Sequence, residues 1–393
     1  MGLRTVVSGR YAGWVCVAAV AVVSGCGQFF PPLSSSTTGT GSTGSGTGSA
    51  ADYIYAGNLA TDPYTIAGFS LASSALSSLS GSPYDIGTSA EPTALTIYGN
   101  YLYMSSAPSI ETYAYPIESD GTLGTGVAAG SLGPTALQVD TTGKWLIGVD
   151  TTLGEIYAFG LDSSNGTLTQ PLSTSTVSLT NCNETTNLDG LPPGIAITPT
   201  DDYIYVSCGT GGIYTFSFNS TSGAITQVNS VLNPAKTDGA DFGLAVNPSG
   251  NLLFAAETLS GVRVFTIDST NGTLSGVSGS PFATGSGPSA VLVDSTGSYL
   301  YVANRTDGTI SGYLVTNSGA LTAIAGSPFS TGIAPIALAE DNSHTYIVAV
   351  CSGGTTGLET YTLSSTTPGA LVSFKTASTG SGDTGAYSLA VTR

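Results

Sequence analysis

The sequence predicts an all-β protein, a seven-bladed β-propeller of four-stranded antiparallel blades closed by pairing of the N- and C-terminal strands. Three observations support this fold class. β-branched and aromatic residues alternate with small or polar ones between turns rich in Gly, Asn and Asp, which is the pattern of strands. One group of such strands recurs along the chain. The two ends of the chain carry complementary fragments of that group.

The recurring unit is clearest from Pro288 to Asn304, which reads PSAVLVDSTGSYLYVAN and is followed by TISGYLV and GALTAIAGSPFSTG. These segments supply four strands. The last apolar residue of the first strand marks each copy, and successive markers lie 42 to 58 residues apart, near the spacing of propeller blades. The markers are Ile97, Val139, Ile197, Val246, Val293, Ala339 and Val391. Seven markers predict seven blades.

The chain ends predict how the ring closes. YIYAGN, from Tyr53 to Asn58, begins a copy that lacks its inner strand, whereas the C-terminal AYSLAVTR supplies an inner strand with nothing after it. We expect the two ends to complete one blade together, since closure removes the exposed edges of an open sheet.

The N-terminus predicts an export signal. Arg4 and Arg10 precede an apolar run from Trp14 to Val23, which is too short for a membrane span of roughly 20 residues. The run ends in Val-Ser-Gly-Cys, which resembles a bacterial lipobox and implies lipidation of Cys26. We therefore expect a lipoprotein signal peptide over 1–25, a Gly/Ser/Thr-rich flexible tether over 26–51 and the propeller over 52–393. The alternative is a short N-terminal anchor helix with an incidental cysteine.

Charge restricts the partners. The formal net charge is −17, and removal of residues 1–25 would make it −19. Nucleic acid is therefore not an expected partner, and anionic membrane surfaces are disfavoured. Membrane attachment would depend on acyl chains at Cys26.

Several motifs indicate a family. The phrases YLYVAN and TISGYL, and the pattern G-S-P-[FY]-x-x-G at 81–87, 279–285 and 326–332, resemble the lactonase-type seven-bladed propellers. That group includes 6-phosphogluconolactonase-like, carboxymuconate-cyclase-like and YVTN-repeat proteins. The resemblance spans about residues 52–393. It implies lactone hydrolysis and also Arg and His residues at the channel mouth, where this sequence has few of either.

Aligned copies place acidic residues where second strands end and inner strands begin, on one face of the ring. Only Lys236 and Arg305 add positive charge there, so we expect an acidic mouth. A hard cation such as Ca²⁺ is the sharpest ligand hypothesis. Its candidate ligands are Glu91, Asp150, Asp241, Glu257 and Asn304. Alternatively, these polar residues cap strand ends and solvate loops.

Catalytic candidates follow from the same positions. Lactone hydrolysis needs a base for water and a donor or cation for the oxyanion. The single histidine, His344, is expected in a solvated turn on the opposite face. Asp150, Asp241 or Glu257 would then be the base, with Arg305 as its electrostatic partner.

The cysteines fit an exported protein. Cys182 lies in an insertion that stretches one repeat interval to 58 residues, on the side of the ring where the strand carrying Cys208 ends. These two cysteines could pair outside the cytoplasm, leaving Cys351 free.

Two functions remain open at this stage. The first is an exported, monomeric propeller of the cell envelope, tethered to a membrane by lipid, that binds a small molecule, glycan or protein. The second is a lactone hydrolase of the 6-phosphogluconolactonase-like type, using a carboxylate base.

Overall fold

The computed structural model describes residues 52–59, 63–179, 182, 191–231, 241–380 and 385–392. The predicted signal peptide and tether lie outside these residues. Within them, the fold is the predicted one: seven antiparallel sheets, each built on four strand positions. No helix of the described residues is long and apolar enough to cross a membrane. The one helical segment described is a 3₁₀ turn at Ser173–Ser175.

The strands follow one another around the ring. Blade 1 contains β1 (Asp52–Asn58), β2 (Tyr64–Ala72), β3 (Ala75–Ser78) and β4 (Tyr84–Gly87). Blade 2 contains β5 (Ala94–Tyr98), β6 (Tyr101–Ser106), β7 (Glu111–Pro116) and β8 (Val127–Gly130). Blade 3 contains β9 (Ala136–Val139), β10 (Trp145–Asp150), β11 (Glu155–Asp162), β12 (Thr167–Thr169) and β13 (Thr176–Ser178). Blade 4 contains β14 (Ile195–Ile197), β15 (Tyr203–Ser207), β16 (Ile213–Asn219) and β17 (Ala224–Val231).

The remaining blades have the same order. Blade 5 contains β18 (Asp241–Val246), β19 (Leu252–Glu257), β20 (Gly261–Ile267) and β21 (Leu274–Gly276). Blade 6 contains β22 (Pro288–Val293), β23 (Tyr299–Asn304), β24 (Thr309–Val315), β25 (Leu321–Ala323) and β26 (Phe329–Ser330). Blade 7 contains β27 (Pro335–Glu340), β28 (Tyr346–Cys351), β29 (Leu358–Leu363) and β30 (Leu371–Ala377). The last strand, β31 (Ala386–Val391), returns to blade 1.

Both chain ends form blade 1, which confirms the predicted closure. β31 is its inner strand and pairs antiparallel with β1, with Ile54 opposite Val391 and Gly57 opposite Ser388. The pairing extends past the strand ends, because the amide of Leu59 donates to the carbonyl of Gly385 at 2.7 Å. Every blade therefore has an inner strand near the axis.

Neighbouring blades are joined by tyrosines near the start of second strands. Tyr301 donates its buried hydroxyl to the carbonyl of Gly369, in the outer turn of the next blade, at 2.8 Å. The ring of Tyr299 packs on the same glycine so closely that a Cβ there would lie 2.3 Å from Cδ1. Equivalent bonds run from Tyr55 to Gly121 (2.6 Å) and from Tyr205 to Gly272 (2.9 Å). These contacts explain the Tyr-x-Tyr repeats and the glycines of the outer turns.

The G-S-P motif is also structural. Ser82 Oγ accepts the amide of Gly68 in its own third strand at 2.8 Å. Ser280 and Ser327 accept the corresponding amides of Val264 and Gly312 at 2.7 and 2.9 Å. The motif therefore anchors the outer edge of three blades and contributes no group to the axis.

Candidate functional site

The ring has two faces, and strand register defines them. Second strands end where inner strands begin, as in the pairs Asp241–Glu257, Pro288–Asn304 and Pro335–Cys351. We call the axial opening on this face the mouth. The turns between first and second strands lie on the opposite face. Toward that face the channel holds a cavity of about 230 Å³, lined by aliphatic residues with Thr96, Gln138 and Thr141.

Asp150 is buried and closes its own loop. Its Oδ1 accepts the amides of Thr152 at 2.8 Å and Leu153 at 2.9 Å. Short polar side chains commonly close turns in this way. These bonds favour the strand-capping role over catalysis or cation binding for Asp150.

Glu257 is neutralised by a residue that sequence reasoning overlooked. Arg263, on β20, donates from Nη2 to Oε2 of Glu257 at 2.9 Å and also from Nε to Oε1. Glu257 is 1% exposed. A two-bonded Arg–carboxylate pair engages both carboxylate oxygens. Lys236 and Arg305 are therefore not the only cations near this face, and Glu257 is poorly placed to act as a base.

Asn304 ties its strand to the next. Its Nδ2 donates to Thr309 Oγ1 and Ser311 Oγ, each at 2.9 Å. Asn58 repeats the arrangement in blade 1, donating to Thr65 Oγ1 and to the carbonyl of Thr379. The recurrence indicates that Asn304 has a structural role in holding the end of its strand. Its buried Oδ1 has no hydrogen-bond partner within the described structure.

The cation candidates do not all gather within the described residues. Among these residues, no three His, Cys, Asp or Glu side chains come close enough to hold a metal ion. The backbone of Asp241 lies opposite Glu257 in the β18–β19 pairing, but its side chain is outside the description, as is Lys236. The calcium hypothesis remains a prediction that depends on Asp241.

A different set of polar groups lies on the face of the mouth, on elements from blade 6 to blade 2. Arg305 follows β23, Tyr387 lies near the start of β31, and Glu91 lies in the loop that leads into β5. Blades 1 and 2 are joined here by Ser388 Oγ, which donates to the carbonyl of Pro92 at 2.9 Å. Side chains alternate along a strand, so Tyr387 lies on the other side of β31 from Ser388 and packs against the cluster that contains Ile336 of blade 7. We call Arg305, Tyr387, Glu91 and Tyr64 the mouth cluster.

The mouth cluster combines a carboxylate, a cation and two hydroxyl donors. Tyr64 donates its hydroxyl to Glu91 Oε1 at 2.7 Å. Burial raises the pKa of Tyr387 to about 12, although the positive charge of Arg305 acts in the opposite direction. Tyr387 therefore keeps its proton at neutral pH and can donate a hydrogen bond.

The other predicted residues have definite places. Cys182 and Cys208, the two cysteines expected to pair, are joined by a disulfide with sulfurs 2.01 Å apart. Cys351 is a buried free thiol. His344 lies in the turn between β27 and β28 on the face opposite the mouth, 58% exposed, with Nδ1 3.4 Å from Glu340 Oε2. It takes no part in the mouth cluster.

Comparisons with known proteins define the class. The family described as "Lactonase, 7-bladed beta-propeller" matches residues 55–380. The chain belongs to this family. No curated protein matches it significantly.

Solved structures share the fold at low identity. A putative 6-phosphogluconolactonase from Bacteroides uniformis has a TM-score of 0.70 at 18% identity and covers 88% of this chain and 100% of its own. A second one from Bacteroides fragilis has a TM-score of 0.69 at 16% identity, covering 89% and 100%. A periplasmic gluconolactonase from Pseudomonas aeruginosa has a TM-score of 0.67 at 15% identity, covering 87% and 99%.

Proposed function

We propose that the chain is a lactone hydrolase that opens a sugar-acid lactone at the mouth cluster. The observation that supports it most is that the face of the mouth carries a carboxylate, Glu91, which accepts the Tyr64 hydroxyl, and a buried hydroxyl, Tyr387, on which the charge of Arg305 acts. These groups match the chemical need for a base and for donors to a developing oxyanion. The family match and the lactonase names of the similar structures support the same reaction class.

In this proposal Glu91 acts first as a base and then as an acid, and the other residues orient it or stabilise charge. Glu91, oriented by Tyr64, takes a proton from the attacking water. Arg305 and Tyr387 face the carbonyl oxygen and stabilise the negative charge that forms there. When the ring C–O bond breaks, the proton on Glu91 passes to the leaving alkoxide, so the product is a hydroxy acid and Glu91 is restored.

The test is acid release from a panel of aldonolactones, with and without divalent ions. We expect Glu91→Gln to lower kcat by about 10²-fold or more, since a positioned base contributes about 10² to 10⁴. We expect Arg305→Met to lower it by about 10²-fold, the effect of losing an oxyanion donor. Matched controls are Glu118→Gln and Lys144→Met, which remove exposed charges in turns on the opposite face. A wild-type protein that opens no lactone would refute the proposal, as would full activity in both mouth variants.

The second candidate is a binding module, which was the first function considered from the sequence. The observation that favours it is that Asp150 and Glu257, two of the three carboxylates predicted as possible bases, are engaged in structural hydrogen bonds. Calcium is its proposed ligand, with Asp241 as an added carboxylate. Calorimetric titration of the mature protein with calcium tests this candidate, and absence of heat at millimolar calcium would contradict it.

We also propose that the chain is exported and held to a membrane by acyl chains at Cys26, as a monomer. The disulfide supports an oxidising compartment outside the cytoplasm. Mass spectrometry of the cellular protein should find an acylated N-terminal Cys26, and Cys26→Ser should release the protein from membranes. An unprocessed Met1 terminus would contradict the proposal. Sedimentation of the Cys26→Ser protein tests for a monomer.

A further inference from the structure

Ile333 is an exposed aliphatic side chain on the face of the mouth. Ile333 is 66% exposed and lies in the loop that leads into the inner strand of blade 7. Blade 7 lies between blade 6, which carries Arg305, and blade 1, which carries Tyr387. Around the ring, this loop therefore lies between those two residues. Near the axis, Ser289 of blade 6 donates to the carbonyl of Pro335, two residues after Ile333, at 2.8 Å. The loop is thus held against the blade that carries Arg305.

The backbone that presents Ile333 is unusual. Ala334 has a φ of +56°, in the left-handed region that costs a residue with a Cβ about 1–2 kcal/mol. Hydrogen bonds from the next loop hold this conformation: the amide of Ser352 donates to the carbonyl of Ala334 at 2.9 Å, and the amide of Gly353 to that of Ile333 at 3.0 Å. A Cβ on Gly353 would lie 2.8 Å from Ile333 Cγ2. Strain of this kind is concentrated at functional sites.

The charges at the mouth argue against a phosphorylated ligand. A phosphate dianion is bound by several charge-assisted donors. In the described part of the mouth, Arg263 is committed to Glu257, and the charge of Arg305 acts on Tyr387. The net charge of −17 would also repel a dianion approaching the ring.

We propose that Ile333 is a specificity-determining residue, forming an apolar wall beside the reactive groups, and that the preferred substrate is an uncharged lactone with an alkyl or aryl substituent. This inference rests on the proposed function. The lactone carbonyl would face Arg305 and Tyr387, and the apolar substituent would contact Ile333 instead of water.

The test compares kcat/KM for three lactones: glucono-δ-lactone, a δ-lactone with a pentyl substituent, and 6-phosphogluconolactone. We expect the wild-type protein to prefer the pentyl lactone over the phosphorylated one by at least about tenfold. Ile333→Ser should lower kcat/KM for the pentyl lactone by about tenfold, the effect of one apolar contact, and leave glucono-δ-lactone unchanged. The matched control, Val372→Ser, removes an aliphatic residue that is 49% exposed on the outer strand of the same blade.

Each remaining outcome decides against the apolar wall or against the reaction. A preference for the phosphorylated lactone would overturn the apolar wall, as would equal losses by Ile333→Ser on all three lactones or no loss at all. If the wild-type protein opens no lactone, the proposed reaction fails. The role of Ile333 is then tested separately, by calorimetric measurement of the affinity of each protein for the pentyl lactone. Equal affinity of wild type and Ile333→Ser for the pentyl lactone, or no binding, would overturn it.

Discussion

The glycine in the seam between blades 6 and 7 allows a quantitative test of how the ring is held together. Gly369 has a φ of +77°, so alanine there costs about 1–2 kcal/mol in backbone strain. Its Cβ would also lie 2.3 Å from the ring of Tyr299, so the ring or the Gly369 backbone must move. A shift of the Gly369 backbone would break the buried bond that its carbonyl accepts from Tyr301, at a cost of about 1–3 kcal/mol. We expect Gly369→Ala to lower the free energy of unfolding by about 2–5 kcal/mol.

Two other glycines separate strain from packing. Gly87 has a φ of +91° but no atom within 4 Å of an added Cβ, so Gly87→Ala should cost about 1–2 kcal/mol. Gly276 has neither a positive φ nor a neighbour within 4 Å, and Gly276→Ala should change stability by less than about 0.5 kcal/mol. Urea unfolding of the three variants, followed by far-UV circular dichroism, measures the differences. If Gly369→Ala is no less stable than Gly87→Ala, the seam does not depend on tyrosine packing.

Three further predictions concern the ring and its titratable groups. Deletion of 386–393 removes β31 and exposes the edge of β1, so the whole ring should unfold more easily; unchanged melting would contradict the shared blade. Burial, with the neighbouring Asp341 carboxylate, raises the pKa of Asp52 from 3.8 to about 7. Its stabilising contribution is present below about pH 4 and lost as pH rises through 7, so Asp52→Asn should flatten that part of a stability–pH curve; an unchanged slope would refute the pairing. The unfolded, unreduced mature protein should have one reactive thiol, Cys351, and three would exclude the disulfide. The native protein should react slowly, because burial raises the pKa of Cys351 to about 11.

The sequence predicted the fold well because each blade is specified locally. Alternation, turns and the Tyr-x-Tyr phrase repeat within some 50 residues, and the incomplete end copies indicate closure directly. The short strands β4, β13 and β26, which return to the third strand of three blades, were not predicted. For β4 and β26 the reason is that the preceding G-S-P segment has the composition of a turn. The two to four residues that pair after it are too few to be recognised as a strand from the sequence.

The candidate site was less predictable, because its members come from different blades. Alignment of the repeat copies identified the acidic residues at strand ends, but it could not identify their hydrogen-bond and ion-pair partners. The pairing of Arg263 with Glu257 could have been predicted from the sequence, since the tight turn between β19 and β20 brings Arg263 back beside Glu257. Tyr387 gave no comparable signal. Its position against Arg305 exists only once the C-terminal strand has joined the N-terminal one.

The closing blade therefore links the fold to the proposed chemistry. Tyr387 and Tyr64 both belong to blade 1, which neither end of the chain can form alone. Glu91 accepts the Tyr64 hydroxyl, and its chain neighbour Pro92 accepts the hydroxyl of Ser388 on β31. Gly57, opposite Ser388 in the strand pairing, leaves room for that hydroxyl, since a Cβ there would lie 2.4 Å from it. Contacts between the ends thus stabilise the ring and also position the mouth cluster. A perturbation that loosens β31 should impair the cluster before the other six blades unfold, because those blades keep all their own strands.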